Sequence, residues 1–205
     1  MYFRRFIVGV ATSVPMLALM AGAAQAITPD QAKSFITASG DKLVAIVNGG
    51  GSQDQKASQL RHLVNQIVAV NQVGDYVLGR YINVATPAQK QQFEALFHQL
   101  LSYNITYQIK AYQGVSFKVN NATPQGNDVL VDTTVTAPDK APADVGWIVE
   151  DDSGQPKIID VIVAGTSLRI TTRNDYAGVI TDHGGQVAAL LTAMQNQITR
   201  ISASQ

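Results

Sequence analysis

The spacing of apolar residues changes at Gly114, and this change constrains the fold more than any other feature of the sequence. Before Gly114, apolar side chains recur every three or four residues, which is the period of an amphipathic helix. From Val115 onward they alternate with polar ones, as in a strand with one buried face. After residue 166 the helical period returns. Helices, strands and again helices predict one α+β domain in which helices pack on an antiparallel sheet.

Start and stop signals give the approximate bounds of the helices. The longest helix has the clearest start, because Thr86 is a favourable N-cap, Pro87 suits the first position and Gln89 completes a capping box. It should end near Tyr112, before Gly114. The predicted helices span residues 29–48, 54–70, 86–112, 167–181 and 186–201, with a further short element at 73–81.

Four alternating runs predict about four strands joined as a meander. Their apolar members start at Val115, Val129, Val145 and Ile159, and turn residues separate the runs at 123–127, 137–142 and 151–154. Strict alternation places Ile159, Val161 and Val163 on the apolar face. The same alternation places Lys118, Asp132 and Asp160 on the opposite face.

The first 26 residues have the pattern of a secretory signal peptide. Arg4 and Arg5 precede an apolar run, and residues 24–26 (AQA) form the small-x-small site that a signal peptidase accepts. The apolar run is short for a membrane span, which needs about 20 residues. The sequence therefore predicts a signal peptide at 1–26 and one domain at 27–205, without a transmembrane span in the mature chain.

The composition of the predicted mature chain excludes several classes of function. The signal would remove two of the 15 basic residues and none of the 15 acidic ones, which leaves a net charge near −2. This balance argues against a nucleic-acid binder, which carries a basic stripe. The chain has no cysteine, so disulfides, thiol nucleophiles and cysteine metal sites are excluded.

Three stretches resemble the MlaC (toluene-tolerance) family of periplasmic phospholipid-binding proteins. They are residues 77–81 (VLGRY) with 85–93 (ATPAQKQQF), then Tyr107 with 112–114 (YQG), and 157–168 (KIIDVIVAGTSL). The sequence departs from the family pattern at Ile82, Ala164 and Thr172. Residues 176–180 and 183–187 are similar to the hopanoid-associated branch of the same family, so phospholipid and hopanoid both stay open as ligands.

The resemblance implies an NTF2-like curved sheet with helices over its concave face and an apolar cavity between them. It also implies a periplasmic lipid carrier that needs no cofactor. Its implied partners are a phospholipid or hopanoid ligand, an outer-membrane lipoprotein complex and an inner-membrane ABC transporter complex.

The candidate lipid-binding residues form two sets that we expect to face each other across the cavity. The long helix supplies Phe93, Leu96, Phe97, Leu100, Tyr103 and Tyr107, and the strands supply Val129, Val131, Val145, Trp147, Val149, Ile159 and Val161. Acyl chains offer no directional groups, so an apolar concavity is the site that suits them. An ordinary filled core is the alternative reading of the same residues.

Several polar and aromatic residues allow two interpretations each. Tyr103, Tyr107 and Trp147 suit either a pocket mouth or a core in which the polar tip is hydrogen-bonded. Arg80 suits either a phosphate or a brace for the turn before Thr86. Asp160 is expected to pair with a basic side chain or a backbone amide.

Two helical arginines and the histidines complete the candidate polar groups. Arg169 and Arg173 lie four residues apart on a face that we expect to be solvated, with a headgroup or partner as the alternative. The three histidines, His62, His98 and His183, stand isolated, and the sequence lacks the common catalytic and metal-binding motifs. A carrier without chemistry or bound metal is therefore predicted.

Two other classes of function stay open. An isomerase or dehydratase on the same fold would place His98, Asp132 or Asp160 inside the apolar pocket. A periplasmic adaptor would instead carry an exposed apolar patch.

Overall fold

The computed structural model describes residues 26–107, 113–138 and 140–203, and it confirms the α+β architecture. The predicted signal peptide lies outside these residues, except for Ala26. The helices are α1 (Pro29–Asn48), α2 (Gln53–Ile67), α3 (Val70–Leu78), α4 (Pro87–Tyr107), α5 (Leu168–Asp182) and α6 (Val187–Ala203), with a 3₁₀ helix at Gly79–Asn83. The strands are β1 (Ser116–Gln125), β2 (Asp128–Thr136), β3 (Ala143–Asp152), β4 (Gln155–Val163) and β5 (Thr166–Ser167).

Capping boxes fix the starts of α1, α2 and α4. In each box a Ser or Thr hydroxyl accepts a backbone N–H three residues on, and a Gln side chain accepts the N–H of the cap residue. The pairs are Thr28 with Gln31, Ser52 with Gln55, and Thr86 with Gln89. The predicted starts of these helices were therefore correct to within one residue.

The predicted second helix was too long at its end. Val68 leaves the helical conformation and forms an isolated parallel bridge with Ile158 of β4. The backbone N–H of Ala69 donates to the Ile158 carbonyl at 3.0 Å. A new helix then begins at Val70, because the sheet edge satisfies the backbone groups at the break.

The strands form an antiparallel meander in the order β1-β2-β3-β4-β5. The four predicted strands are present, and β5 adds a two-residue edge. Strand β1 continues through Thr123 and Pro124, which the sequence placed in a turn. Proline is tolerated there because β1 is an edge strand and needs no second ladder partner.

Helix α1 covers the apolar face of the sheet. The other helices pack mainly against one another. Gly40 of α1 allows the close approach, since a Cβ at this position would lie 2.4 Å from Cε1 of Phe117 in β1. Helix α4 packs on α6, α2 and α3, whereas α5 packs on α3, β4 and α6. None of the helices in the described ranges is long and apolar enough to cross a bilayer.

Candidate functional site

Most of the predicted lipid-binding residues belong to or pack against two separate hydrophobic clusters, whereas Val145 and Ile159 are in neither. The helical cluster contains Phe93, Leu96, Phe97 and Leu100 with buried residues of α3, α5, α6 and the 3₁₀ helix. The sheet cluster consists of Ile27, Ala32, Ile36, Val129, Val131, Val149 and Ile158. Val68 packs against both clusters. The expectation that α4 faces the strand residues was therefore wrong.

The physical reason for this error is that an apolar stripe does not specify its partner. Phe93, which is 1% exposed, stacks on Phe97 with ring centroids 5.7 Å apart and meets the edge of Tyr176 at 6.1 Å. Helix α6 supplies further neighbours, including the fully buried Leu190 and Met194, and Gly74 of α3 lies against both phenylalanine rings. Burial among these side chains raises the pKa of Tyr176 to about 12. The α4 stripe is thus satisfied by other helices.

The strand register aligns the apolar residues of the sheet in three rows, which we call the sheet face. The first row is Pro124, Val129, Val149 and Ile158; the second is Ala122, Val131, Trp147 and Val161; the third is Val119, Thr133, Val145 and Val163. Six of the seven predicted strand residues, all except Ile159, are therefore brought together on one surface.

Exposure increases from the first row to the third in β3 and β4, whereas the β2 members of all three rows, Val129, Val131 and Thr133, are at most 1% exposed. Val129 and Val149 are 0% exposed under α1. Trp147, Val161 and Val145 are only partly buried, and Val163 is 38% exposed. Along β3 and β4 the first row is therefore buried and the third row reaches the surface at Val163, while Pro124 at the β1 end of the first row is exposed.

A β-bulge explains why Ile159 does not belong to the sheet face. Ile148 pairs with Asp160 and Val149 pairs with Ile158, so Ile159 is the extra residue of β4. The bulge changes the phase, and Ile158 replaces Ile159 in the sheet cluster. Strict alternation, on which the prediction for Ile159 rested, cannot detect an inserted residue.

The polar atoms on the sheet face bond to each other. The indole Nε1 of Trp147 donates to Thr133 Oγ1 at 2.9 Å, and Thr133 donates to the Val145 carbonyl at 2.8 Å. The Phe117 ring meets Trp147 edge-on at 6.5 Å. The Trp147 side chain therefore presents its ring, rather than an unpaired donor, to whatever lies on this face.

The two predicted tyrosines have different outcomes. Tyr103 packs against the helical cluster, and the Ser202 hydroxyl donates to its Oη at 3.0 Å. Hydrogen bonds from Ser202 and then Gln99 lower the pKa of the Tyr103 phenol. Tyr103 is thus a packed aromatic with a bonded tip. The side chain of Tyr107 lies outside the described part of the structure.

Asp160 anchors the start of α5 to β4, which confirms the prediction that it pairs with amides and a basic side chain. Its Oδ1 accepts the N–H groups of Val161 at 2.8 Å and Arg169 at 3.0 Å. Its Oδ2 accepts the Ser167 hydroxyl at 2.5 Å and lies 3.9 Å from Arg169 Nε. These bonds stabilise the carboxylate where it is 7% exposed.

Arg169 and Arg173 do not form the solvated face that was predicted. Their guanidinium carbons lie 4.2 and 4.9 Å from the centroid of the Tyr76 ring in α3. The two cations therefore stack on one aromatic ring, which holds α5 against α3.

The three candidate acid–base groups all lie away from the sheet face. His98 bonds through Nε2 to Asn71 Oδ1 at 2.8 Å, and Asp160 anchors α5. Asp132 pairs with Gly146, so it alternates with Val131 and points to the opposite side of the sheet. The enzyme alternative requires one of these groups among the apolar side chains, and none of the three is there.

Comparison with known proteins identifies the family to which this fold belongs. The sequence model of the family described as MlaC protein matches residues 38–196. The intermembrane phospholipid transport system binding protein MlaC of Haemophilus influenzae is 24% identical over 170 residues, which covers 78% of each chain. The phospholipid-binding protein of Ralstonia solanacearum, solved in complex with a phospholipid, has the same fold, with a TM-score of 0.75 at 21% identity over 83% of this chain and 98% of that chain. Because the family match spans most of the sequence, the chain belongs to the MlaC family.

Proposed function

We propose that this protein is a periplasmic lipid carrier that binds phospholipid acyl chains on the sheet face and between the two clusters. It passes lipid between an outer-membrane lipoprotein complex and an inner-membrane ABC transporter complex. The names of the two relatives support the ligand and the transport role. The observation that carries the proposal is the increase in exposure along β3 and β4, where the third row of the sheet face reaches the surface at Val163.

An acyl chain that leaves a bilayer must be sheltered from water again, and this apolar surface offers that shelter. Burial of each CH₂ contributes about 0.8 kcal/mol, so a sixteen-carbon tail gains on the order of 10 kcal/mol before ordering costs. The bonded pair Thr133 and Trp147 adds no unpaired donor or acceptor that the tail would have to desolvate.

The tail enters at the third row and advances toward the first by separating the two clusters. The buried residues of the two clusters belong to different sets, and Val68 is the packed residue they share. When the two clusters separate, apolar contacts between them are replaced by apolar contacts with the tail. The packing of α4 on α6 lies within the helical cluster and stays intact.

Quenching of Trp147 by brominated phospholipid tests the proposal. Trp147 is the only tryptophan of the chain, so all tryptophan emission comes from the sheet face. Phospholipid brominated along its tails should quench this emission, and the unbrominated lipid should compete. Quenching no stronger than that of free tryptophan at the same lipid concentration would show that tails do not reach the sheet face.

A pair of matched variants locates the entry. Val163→Asp places a charge on the open row, and Ile170→Asp places the same charge at an exposed apolar residue of α5 that is outside the sheet face. Val163→Asp should weaken lipid binding about tenfold or more, because the carboxylate would be desolvated beside a tail. Equal binding by the two variants would contradict entry at Val163.

Mass spectrometry of lipid extracted from the native protein distinguishes a phospholipid from a hopanoid.

A further inference from the structure

An open depression of about 570 Å³ lies where the 3₁₀ helix meets the end of α5. It is lined by Arg80, Tyr81, Val84, Thr181, Gly184 and Gly185. The Tyr81 ring belongs to the helical cluster and is 8% exposed. The Val84 side chain on the rim is 67% exposed. The depression therefore has an apolar floor and rim around a small set of polar atoms.

Most polar groups that line the depression are already hydrogen-bonded within the protein. The Thr181 hydroxyl donates to the Ala177 carbonyl at 2.7 Å, so it accepts from the Tyr81 hydroxyl, which lies 2.9 Å away. Tyr81 Oη in turn accepts from Arg80 Nη2 at 2.9 Å. The N–H groups of Gly184 and Gly185 donate to the carbonyls of Thr181 and Ile180. Both hydroxyl hydrogens and both glycine amides are thus already used.

Arg80 retains most of its donors. A guanidinium has five N–H groups, and one of them bonds to Tyr81. Within residues 26–107, 113–138 and 140–203, no carboxylate lies within ion-pair distance of Arg80. Its carbon Cζ also lies 4.9 Å from the centroid of the Tyr81 ring, so the side chain is held by two contacts while its remaining donors are free. Arg80 is thus a positioned, exposed cation without a counter-ion among the described residues.

We propose that the depression binds a phosphate group through Arg80, borne either by a lipid headgroup or by free phosphate. The planar guanidinium matches two phosphate oxygens at once, and a single phosphate group fits easily in the volume. The exposed Val84 beside the cation suits an amphiphile more than a bare ion. The headgroup form rests on the proposed carrier function, whereas the free-phosphate form does not.

Arginine side-chain NMR with acyl-free ligands tests this proposal separately from tail binding. The Arg80 Nε–H resonance of the full chain is followed during titration with glycerophosphoglycerol, a phosphodiester without tails, and with inorganic phosphate, both at constant ionic strength. A shift with the diester supports the headgroup form, and a shift with inorganic phosphate alone supports the free-phosphate form. Because neither ligand has an acyl chain, failure here leaves the quenching of Trp147 unaffected.

Matched variants show whether Arg80 carries the interaction. Arg80→Gln should weaken phosphate binding about tenfold or more, whereas Arg61→Gln, at an exposed arginine of α2, should leave it unchanged. Tyr81→Phe keeps the ring in the helical cluster and removes the hydroxyl that positions Arg80, so it should weaken binding by a smaller factor. The proposal is overturned if neither ligand shifts Arg80, if chloride produces the same shift, or if the two arginine variants bind equally.

Discussion

Replacement of Thr133 by valine should destabilise the protein through the indole of Trp147. Thr133 is 1% exposed, and its hydroxyl both accepts the Trp147 N–H at 2.9 Å and donates to the Val145 carbonyl at 2.8 Å. Valine has nearly the same shape and leaves no large cavity, but it satisfies neither group. A partly buried donor without a partner costs about 1–3 kcal/mol. In a domain of this size that cost lowers Tm by about 2–10 °C.

Urea unfolding followed by far-ultraviolet circular dichroism measures this loss, and Trp147 emission reports the local change. Thr134→Val is the matched control, because Thr134 is the next residue on the opposite side of β2 and its hydroxyl bonds to exposed partners, with Asp144 Oδ1 at 3.3 Å. The control should change the free energy of unfolding by no more than about 0.5 kcal/mol. Equal stability of the two variants would refute the view that the sheet face depends on an internally bonded indole.

Three further predictions concern the packing and the electrostatics of the sheet and the helices on it. Gly40→Ala should lower the free energy of unfolding by about 1–3 kcal/mol, because the new Cβ meets the Phe117 ring. Gly178→Ala, where a Cβ meets nothing, should instead raise it by about 0.5–1 kcal/mol. Thermal melts in which Gly40→Ala is the more stable variant would contradict the close approach of α1. Asp160→Asn should lower the free energy of unfolding in urea by about 2–3 kcal/mol, because two backbone N–H groups and a hydroxyl lose an ionised acceptor. An unchanged urea midpoint would show that the domain does not need this anchor. Burial raises the pKa of the Glu150 carboxyl above its ordinary 4.5, so the folded state holds this proton more tightly than the unfolded state, and the free energy of unfolding should fall as pH rises through the interval above 4.5. Glu150→Gln should flatten this pH dependence and raise the free energy of unfolding by less than about 1 kcal/mol at pH 7. An unaltered pH profile would count against the burial argument.

The elements of the fold were predictable because local chemistry determines them. Ser or Thr followed three residues later by Gln fixes the start of a helix wherever it lies in the chain, and alternation marks a strand without reference to its neighbours. These rules placed α1 at Pro29–Asn48 and α4 from Pro87 onward, as the structure has them. They failed at Val68, where a contact with Ile158, distant in sequence, ends a helix that the local pattern would continue.

The sheet face was predictable as a set of residues, but the packing partner of α4 was not. Alternation identified Val145, Trp147 and Val161 as neighbours on one face, and the register confirms this. The choice between the sheet and α6 as partner of α4 depends on tertiary packing, which a single apolar stripe does not encode. The bulge at Ile159 also left no signal in the sequence, because Ile158 and Ile159 are identical side chains.

In the proposed carrier, the separation of the helical cluster from the sheet cluster keeps the domain stable while the sheet face opens to a tail. The chain has no cysteine, so its stability depends on the packed core. The helical cluster supplies much of that core from helices alone and does not need the sheet face to stay closed. The first row of the sheet face is held by α1, and its third row is left partly exposed. A tail that replaces contacts between the two clusters therefore changes the packing at the sheet face. The packing within the helical cluster, which keeps the domain folded, stays the same. Destabilisation of the helical cluster should accordingly lower Tm without changing the depth at which brominated tails quench Trp147.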